Sequence, residues 1–276
     1  MIRCADRGAG SGTNLTPLMI GSYRFSPLGA FRMWQRNATV ARKTILVTLV
    51  PRFIEGIAYL AIMGLGLGAY LSSVRGTDYV DFIAPGVAAS TVMFGAILET
   101  TYNAFVRIHV RRVTEAIITT PLEVEDVVVG EYLWGATRGL IYGLVFLIVM
   151  AAFGLIHSPW VLLAPPLLFL GGLTFAALGM LYTAFVSSIE HFNIFFTAIL
   201  TPMFLFGGIF FPFDELPRWA QIAGWCLPLS HLVEALRDLT SGDVGAITAL
   251  HVAVLAIIIA MIFPIPLRRL RRTLVA

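Results

Sequence analysis

Residues 107–138 read RIHVRRVTEAIITTPLEVEDVVVGEYLWGATR and lie between two apolar stretches of membrane length. This segment carries most of the charge in the middle of the chain. A polar, helix-forming segment between two membrane spans has to lie at the water face of the bilayer. The sequence therefore predicts a surface here on which a soluble partner acts on a membrane domain.

The composition indicates an integral membrane protein. Of 276 residues, 58% are hydrophobic and 13% are charged, and the mean hydropathy is +0.85. A single soluble core of this length cannot hide so much apolar surface. The net charge of +3 is small and the basic residues cluster at the edges of apolar stretches, so no nucleic-acid partner is expected.

Six apolar stretches are long enough to cross about 30 Å of hydrocarbon, which predicts an all-α protein with six transmembrane helices. They cover approximately residues 54–73, 82–105, 139–156, 162–186, 194–211 and 247–265. With alternating loops, 15 basic residues fall on one side of the membrane and 3 on the other, and Arg52 lies at the boundary. The positive-inside rule then predicts that both termini are cytoplasmic.

The N-terminal region divides into two parts. Residues 1–21 are rich in Gly, Ser and Thr and lack the apolar core of a signal peptide, which predicts a disordered leader before a membrane domain of residues 22–276, with Met19 as an alternative start. Between residues 28 and 45, apolar residues recur every three or four positions opposite a basic face. This pattern predicts an amphipathic helix at the membrane interface, although a solvated leader helix would show it too.

The first span contains two features with more than one interpretation. Gly64 and Gly68 have the GxxxG spacing that lets two helices approach closely, either at a subunit interface or within one chain. Arg52 and Glu55, one helical turn apart, either snorkel or pair at the membrane boundary or take part in the mechanism.

Glu99 is the most informative residue of the second span. It lies two turns or more inward from Arg107, at a depth where an isolated carboxylate is strongly unfavourable. We therefore expect Glu99, with Thr100, Tyr102 and Asn103, to form a polar pathway or a contact between subunits. A structural hydrogen bond between helices is the alternative.

The junction between the polar segment and the third span contains helix signals. A short surface helix is predicted before residue 120, in which Arg111 and Glu115 pair at i, i+4. Pro121 ends this helix and opens the next, with Thr120 as N-cap, Pro121 as N1 and Glu123 as N3 of a capping box. Because one helix would end where the next begins, the surface helix would be coupled rigidly to the third span.

Residues 212–243, between the fifth and sixth spans, are too polar to span a membrane and too apolar to form a free loop. Two short helices are predicted at about residues 216–226 and 230–240, with Gly242 as the stop. Because three prolines interrupt the segment, we expect a re-entrant hairpin in the outer leaflet. An ordinary cap on the outer face is the alternative.

Sequence patterns for nucleotide hydrolysis and metal binding are missing. A phosphate-binding loop needs glycines and a lysine, but the single lysine, Lys43, follows Asn37 and Arg42 where glycines are required. The five histidines show no metal-ligand spacing. We therefore expect neither catalysis nor a cofactor or metal in this chain, so that a separate partner has to supply the energy.

Several strings, in order along the chain, resemble the membrane subunits of type-2 ATP-binding-cassette exporters, most closely the NodJ-like branch. They are GLGLGAYL (64–71), FIAPGVAASTVMF (82–94), ETTYNAFVR (99–107), EAIITTPLEVEDVVVGEYLWGATR (115–138), TPMFLFGGIFFPFDELP (201–217) and LPLSHLVEALRDL (227–239). The resemblance covers about residues 22–270. It implies a homodimeric permease in the bacterial inner membrane, bound to two ATPase subunits that carry ATP and magnesium. The implied cargo is an amphiphile such as a lipid-linked saccharide or lipo-oligosaccharide.

The resemblance also implies roles for segments. Residues 107–126 correspond to the coupling segment that docks on the ATPase, the amphipathic helix to a second contact, and the 212–243 hairpin to an outer gate. The expected coupling residues are Arg111, Arg112, Glu115, Thr120, Pro121, Glu123, Glu125 and Asp126. The expected pathway or dimer residues are Arg52, Glu55, Gly64, Gly68, Glu99, Tyr102 and Asn103. The expected gate residues are Phe211, Pro212, Asp214, Glu215, Pro217, His231, Glu234 and Arg237.

Two alternatives remain at this point. Within the same family, the cargo could be a hydrophobic drug, haem or a polysaccharide, because lipid-facing and cargo-facing phenylalanines of the fifth span look alike in sequence. In a different class, the chain could be a channel or a structural membrane subunit that needs no ATPase. Co-purification of a soluble ATPase would separate the two classes.

Overall fold

The computed structural model describes residues 26–66, 76–110, 123–213 and 216–275, which form helices joined by turns. Within these residues, five helices are long and apolar enough to cross a membrane. They are Ile45–Gly64, Tyr79–Ile108, Val124–Ala152, Pro159–Thr183 and Ala246–Arg271. The remaining predicted span forms a shorter apolar helix, His191–Phe206, so a sixth crossing stays a prediction.

Two helices begin the described chain. Helix α1, Pro27–Arg42, starts after Ser26, whose hydroxyl accepts a hydrogen bond from the Gly29 N–H at 3.3 Å. The predicted helix is present, but it ends before residue 45 because the chain turns there into helix α2, Ile45–Leu65. The first span thus begins earlier than the predicted residue 54, and Arg52 lies inside α2 rather than at its edge.

The second span is helix α3, Tyr79–Leu98, which continues through π-helical turns at Glu99–Asn103 and Val106–Val110. The third span is helix α4, Val124–Ala152, which begins well before the predicted residue 139. These two long helices flank residues 111–122, which lie outside the described part of the chain and contain the predicted surface helix.

The start of α4 differs from the prediction. Glu123 has an extended backbone and is the N-cap, and its N–H donates a hydrogen bond to Asp126 Oδ2 at 3.4 Å. The predicted placement of Glu123 at N3 is therefore wrong, because a carboxylate three residues further on closes the box instead. Thr120 and Pro121 lie outside the described residues.

The fourth and fifth predicted spans are built from shorter pieces. A 3-10 turn, Pro159–Leu163, leads into helix α5, Ala164–Thr183. Helix α6, His191–Phe195, continues through a π-helical turn, Phe196–Leu200, into helix α7, Thr201–Phe206. The helix ends before the predicted residue 211 because the chain turns at a pair of glycines.

The predicted hairpin contains two helices, as expected. They are α8, Arg218–Trp225, and α9, Pro228–Ser241, and Gly242 ends α9 with a positive φ of 102° that favours glycine. The last span, Ala246–Arg271, consists of helix α10, Ala246–Ile262, and, after a break at Phe263, most of helix α11, Pro264–Val275.

The core lies where α3 packs against α4, α5 and α9. The α3 span is 78% buried within the chain, against 11% for the α2 span and 17% for the last span. The short helix α9 is also almost wholly buried. The molecule therefore has a protein-covered centre, while α2 and α10 present apolar faces that the described residues do not cover.

Candidate functional site

Four charged residues form a network inside the helix bundle. The Arg107 guanidinium donates hydrogen bonds to Glu99 Oε1 at 2.8 Å and to Glu131 Oε1 and Oε2 at 3.0 and 2.5 Å. Arg138 Nε lies 3.5 Å from Glu99 Oε2. Glu99 is 4% exposed and Glu131 is 1% exposed, so both carboxylates depend on the arginines for stabilisation.

The network joins the second span to the third. Glu99 and Arg107 belong to the π-helical end of α3, whereas Glu131 and Arg138 are on α4. Asn103 Nδ2 adds a hydrogen bond to Glu99 Oε2 at 2.9 Å. Because residues 111–122 connect these two helices, the network ties together both ends of the predicted coupling segment.

The π-helical turn at Glu99–Asn103 is supported by hydroxyl groups. The Thr101 hydroxyl donates to the Ile97 carbonyl oxygen at 2.6 Å, and the Thr183 hydroxyl of α5 donates to the Thr100 carbonyl oxygen at 2.8 Å. A π-helical turn interrupts the usual hydrogen-bond ladder, and such turns are frequent at functional sites. Thr183 thus links α5 to the position where the network begins.

Helix α1 packs along the first turns of α4. The Ser26 N–H donates to Asp126 Oδ1 at 2.9 Å, and Trp34 Nε1 donates to Thr137 Oγ1 at 2.9 Å. A Cβ atom at Gly130 would lie only 2.6 Å from Met33 Cβ, so glycine permits this close approach. The N-terminal helix is therefore joined to the helix that leaves the coupling segment.

Helix α1 packs one face on the protein and leaves large apolar residues of its predicted interfacial face exposed. Gly29, Ala30, Met33 and Asn37 are buried against the protein. The larger apolar residues Leu28 and Phe31 are exposed instead. A cleft of about 300 Å³ separates α1 from the network, and its lining includes Arg36, Asn37, Asn103, Arg107, Trp134 and Arg138.

Arg237 organises the hairpin on the other side of the core. Its guanidinium donates to Glu234 Oε1 at 2.6 Å, to the Gly208 carbonyl at 3.0 Å and to the Phe82 carbonyl at 3.2 Å. Its Cζ also lies 3.9 Å from the centroid of the Phe82 ring. One side chain therefore holds α9 to the start of α3 and to the turn that precedes the hairpin.

Two histidines join the hairpin to the last span. His231 Nδ1 lies 2.9 Å from His251 Nδ1, and His231 Nε2 lies 2.9 Å from the Trp225 carbonyl oxygen. A carbonyl can only accept, so His231 donates from Nε2 and its Nδ1 accepts from His251. Burial lowers the pKa of His231 below its ordinary range, which favours this neutral arrangement.

A polar cleft of about 520 Å³ opens beside the hairpin. Its lining contains five carboxylates, together with His157 and Arg237. The carboxylates are Asp78, Asp81, Glu234, Asp238 and Asp243. His157 Nε2 lies 3.0 Å from Asp81 Oδ1, and burial raises the pKa of Asp238.

The predicted pathway residues do not form one cluster. Asn103 contacts Glu99, but the Tyr102 hydroxyl lies 3.3 Å from Asn193 Oδ1, and the Tyr102 ring packs at a tilt against the Phe192 ring of α6 with centroids 4.9 Å apart. Arg52 and Glu55 pair with each other at 2.7 Å on α2, and Arg52 lies 5.2 Å from the centroid of the Tyr142 ring, which Arg138 of the network also approaches. A Cβ atom at Gly64 would lie 3.2 Å from Val80 Cγ2, so this glycine faces α3 of the same chain.

The predicted gate and coupling residues are also separated. His231, Glu234 and Arg237 lie together on α9. The other described gate residues come before α8: Phe211 is exposed, Pro212 is buried, and Pro217 directly precedes the helix. Glu125 pairs with Arg271 at 3.1 Å, and Asp126 binds the start of α1. The predicted site residues outside the described part of the chain are Gly68, Arg111, Arg112, Glu115, Thr120, Pro121, Asp214 and Glu215.

The sequence patterns did not point to Glu131, which binds Arg107, or to Arg138, which approaches Glu99. A second carboxylate within the apolar stretch of α4 is a usable signal, because a buried carboxylate requires a basic partner. Sequence distance does not identify that partner, since Arg107 is 24 residues away and Arg138, Arg112 and Arg111 are nearer. The pairing of His231 with His251 had no such signal, since the two residues are separated by a helix end and a turn.

These features define a polytopic α-helical membrane protein whose spans are joined by a buried charge network. The sequence profile described as "ABC-2 type transporter" matches residues 30–240. The chain therefore belongs to the ABC-2 type transporter family of membrane permeases, which confirms the resemblance found in the sequence.

The chain is similar to several curated proteins over most of its length. It is 36% identical to "Nodulation protein J" of Rhizobium leguminosarum bv. trifolii over 266 residues, covering 96% of this chain and 99% of that protein. It is 37% identical to "Nodulation protein J" of R. leguminosarum bv. viciae, covering 88% and 93%. It is 26% identical to "Inner membrane transport permease YadH" of Escherichia coli, covering 82% and 89%. No match was found among solved structures.

Proposed function

We propose that this chain is the membrane-spanning permease subunit of an ATP-binding-cassette exporter, working as a homodimer with two copies of a separate ATPase. The observation that carries the proposal is the buried network of Glu99, Arg107, Glu131 and Arg138. It joins the two spans that enter and leave the predicted coupling segment. A push on that segment would therefore reach α3 and α4 together.

The ATPase subunit would bind ATP and magnesium and supply the energy, whereas this chain would transmit the movement. Asp126 is bonded to the start of α1, and α1 packs along α4 through Trp34 and Met33. Movement at the start of α4 would thus carry α1 with it. This supports the expectation that the amphipathic helix is a second contact, with exposed Leu28 and Phe31 available to lipid.

On the proposed topology, with both termini cytoplasmic, the hairpin lies on the outer side. Arg237 and the histidine pair hold α9 to α3 and α10, which are elements of the core and of the lipid-facing last span. Opening an outer gate would require these bonds to shift. We propose an amphiphilic cargo, a lipid-linked saccharide or lipo-oligosaccharide, because the family resemblance implies it and the inner network supplies polar groups beside apolar helices.

Purification of the tagged chain from its own bacterium, in lipid nanodiscs, tests the proposal. We expect a soluble ATPase with a GxxxxGK sequence to co-purify in about equal amount and the complex to hydrolyse ATP. The double substitution of Arg112→Ala with Glu115→Ala should reduce this association, because charges at the rim of an interface speed the encounter of the two proteins and fix their relative position.

The matched control is Arg218→Ala, an exposed arginine at the start of α8 in the hairpin, which should leave association unchanged. Purification of the parent chain without any ATPase would contradict the proposal and favour a channel or structural subunit. Equal ATPase binding by the parent and the double variant would contradict the proposal that the coupling segment docks on the ATPase.

A further inference from the structure

A groove lies between the start of α4 and the break that follows α10. Its volume is about 380 Å³, and its walls are almost wholly apolar. Val129 forms one wall, and Phe263, Pro264 and Leu267 form the other. The charged residues of its lining are Glu125, Arg268 and Arg271, which contribute little to its exposed surface and are called its rim below.

The groove exists because the last span breaks at Phe263. Pro264 has no backbone N–H, so the α-helical ladder is interrupted there. The Tyr132 hydroxyl of α4 donates a hydrogen bond to the Phe263 carbonyl oxygen at 3.2 Å, and the two rings pack with centroids 4.8 Å apart. Leu270 is buried against the same part of α4. The groove stays open between the contact of Phe263 with Tyr132 and the contact of Leu270 with α4.

The rim of the groove is basic. Arg271 pairs with Glu125 at 3.1 Å, so the one carboxylate that the described residues place at the rim is already neutralised. Arg268 is exposed at the rim, one turn before Arg271. Arg269 follows Arg268 on the same helix but lies over the Phe185 ring at 5.1 Å, away from the groove.

Lipid can enter the groove without leaving the bilayer. The last span, Ala246–Arg271, is only 17% buried among the described residues, and the groove lies along the C-terminal part of this span. Anionic lipid headgroups typically bind at basic clusters at the end of a membrane span. Long basic side chains at such a position can extend to the membrane interface. An apolar slot with a cationic rim fits an acyl chain and a phosphate, respectively.

We propose that this groove binds an anionic phospholipid, with one acyl chain between Val129 and Leu267 and the headgroup phosphate at Arg268. On the topology proposed above, the lipid comes from the cytoplasmic leaflet. The binding site itself does not depend on the cargo or on the ATPase, so it can fail while the transport proposal stands.

The test uses the full chain in nanodiscs of phosphatidylcholine that contain a photoactivatable phosphatidylglycerol with a diazirine in its acyl chain. After illumination, mass spectrometry should locate the cross-link on the peptides that contain Val129 and Leu267. Unlabelled phosphatidylglycerol should compete and phosphatidylcholine should not. Arg268→Gln should reduce labelling about fivefold, the effect expected of one arginine near a membrane surface.

Two further variants separate a defined site from general surface charge. Arg269→Gln removes the same charge from the same helix but not from the rim, and should leave labelling unchanged. Leu267→Trp fills the groove and should abolish it. Equal losses of labelling in Arg268→Gln and Arg269→Gln would overturn the proposal, and so would equal competition by phosphatidylcholine. Cross-links scattered over the exposed helices would also overturn it. The absence of any cross-link in the groove would overturn it as well, because the groove would then be covered by protein.

Discussion

Arg107 lies between two carboxylates that would repel each other without it. It donates to Glu99 and Glu131 at once, and Arg138 approaches Glu99 from the other side. Two arginines and two glutamates make the cluster neutral overall. Removal of one partner of a buried ion pair leaves the other charge uncompensated. Such a substitution therefore lowers the free energy of unfolding by more than the intact pair contributes to it.

Arg107→Leu is therefore expected to lower the free energy of unfolding by about 3–5 kcal/mol, because it leaves Glu99 and Glu131 without their shared partner. Thermal unfolding in detergent measures this effect. Glu99→Gln should cost less, since the amide still accepts from Arg107 and Glu131 remains paired. Arg218→Leu, at an exposed position, is the control and should change stability by less than about 0.5 kcal/mol. Equal losses in Arg107→Leu and Arg218→Leu would show that the network is not a stabilising element.

The histidine pair predicts a dependence of stability on pH. Burial holds the pKa of His231 below its ordinary value of about 6.5, so the unfolded chain takes up a proton before the folded chain does. Stability should thus be highest above pH 6.5 and fall as the pH drops below it. His251 is the titratable group in contact with His231, and the carboxylate of Glu234 acts electrostatically on His251.

Unfolding midpoints at pH 7.5 and pH 5.5 measure this dependence. His231→Gln can still donate to the Trp225 carbonyl but does not titrate, so its loss of stability at low pH should be smaller than the parent's. His157→Gln is the control, because His157 is largely exposed in its pair with Asp81. A parent and a His231→Gln variant with the same pH response would contradict the assignment.

At the scale of helices, α3, α4 and α5 meet at Thr100. A Cβ atom at Gly135 of α4 would lie 2.6 Å from Thr100 Cγ2, and one at Gly179 of α5 would clash with Thr100 Oγ1. Real Cβ atoms do not approach other atoms so closely, so glycine is required on both sides of this residue. The crossing sits directly beside the buried network and sets the separation of its helices.

Gly179→Ala should consequently destabilise the protein by about 1–3 kcal/mol through overpacking. Thr100→Ala removes the atom that clashes, and the other contacts of a Cβ at Gly179 are ordinary at 3.4 Å. The double variant should therefore be more stable than the sum of the two single effects predicts. Strict additivity in thermal unfolding would show that these helices separate instead of clashing.

Helix existence was predictable from apolar length and periodicity, and helix boundaries were less so. The hairpin helices and the stop at Gly242 followed from prolines, glycine and the spacing of leucines. The start of α2 was placed too late because Pro51 and Arg52 resemble a helix boundary, yet both are accommodated inside the helix. Glu99 was identified as buried and polar, but its partners on α4 depend on a helix crossing that no local pattern encodes.

Burial is uneven across the whole molecule. The α3 span is 78% buried, whereas the α2 span is 11% buried, so α2 retains a face for lipid or for a second copy of the chain. This distribution suits a permease half that is completed by dimerisation. The exposed Cys226 lies in the hairpin at the end of α8, which gives a direct test of its orientation.

An impermeant thiol reagent added to intact spheroplasts should label Cys226 if the hairpin faces outward. In a variant with both native cysteines replaced by serine, Asp78→Cys should restore labelling from outside, because Asp78 lines the cleft beside the hairpin. Glu190→Cys, in the turn after α5, should react only after the membrane is permeabilised. Labelling of Glu190→Cys in intact spheroplasts would contradict the proposed topology.

The most direct test of the whole account is ATP-driven flux. Proteoliposomes of phosphatidylethanolamine and phosphatidylglycerol would hold this chain with its co-purifying ATPase facing outward, and a fluorescent lipid-linked oligosaccharide in the outer leaflet. The account predicts that ATP, but not a non-hydrolysable analogue, moves the probe to the inner leaflet, where dithionite cannot quench it. Movement that is independent of ATP, or ATP hydrolysis with no movement of any amphiphilic probe, would contradict the assignment of this chain as the permease subunit of an exporter.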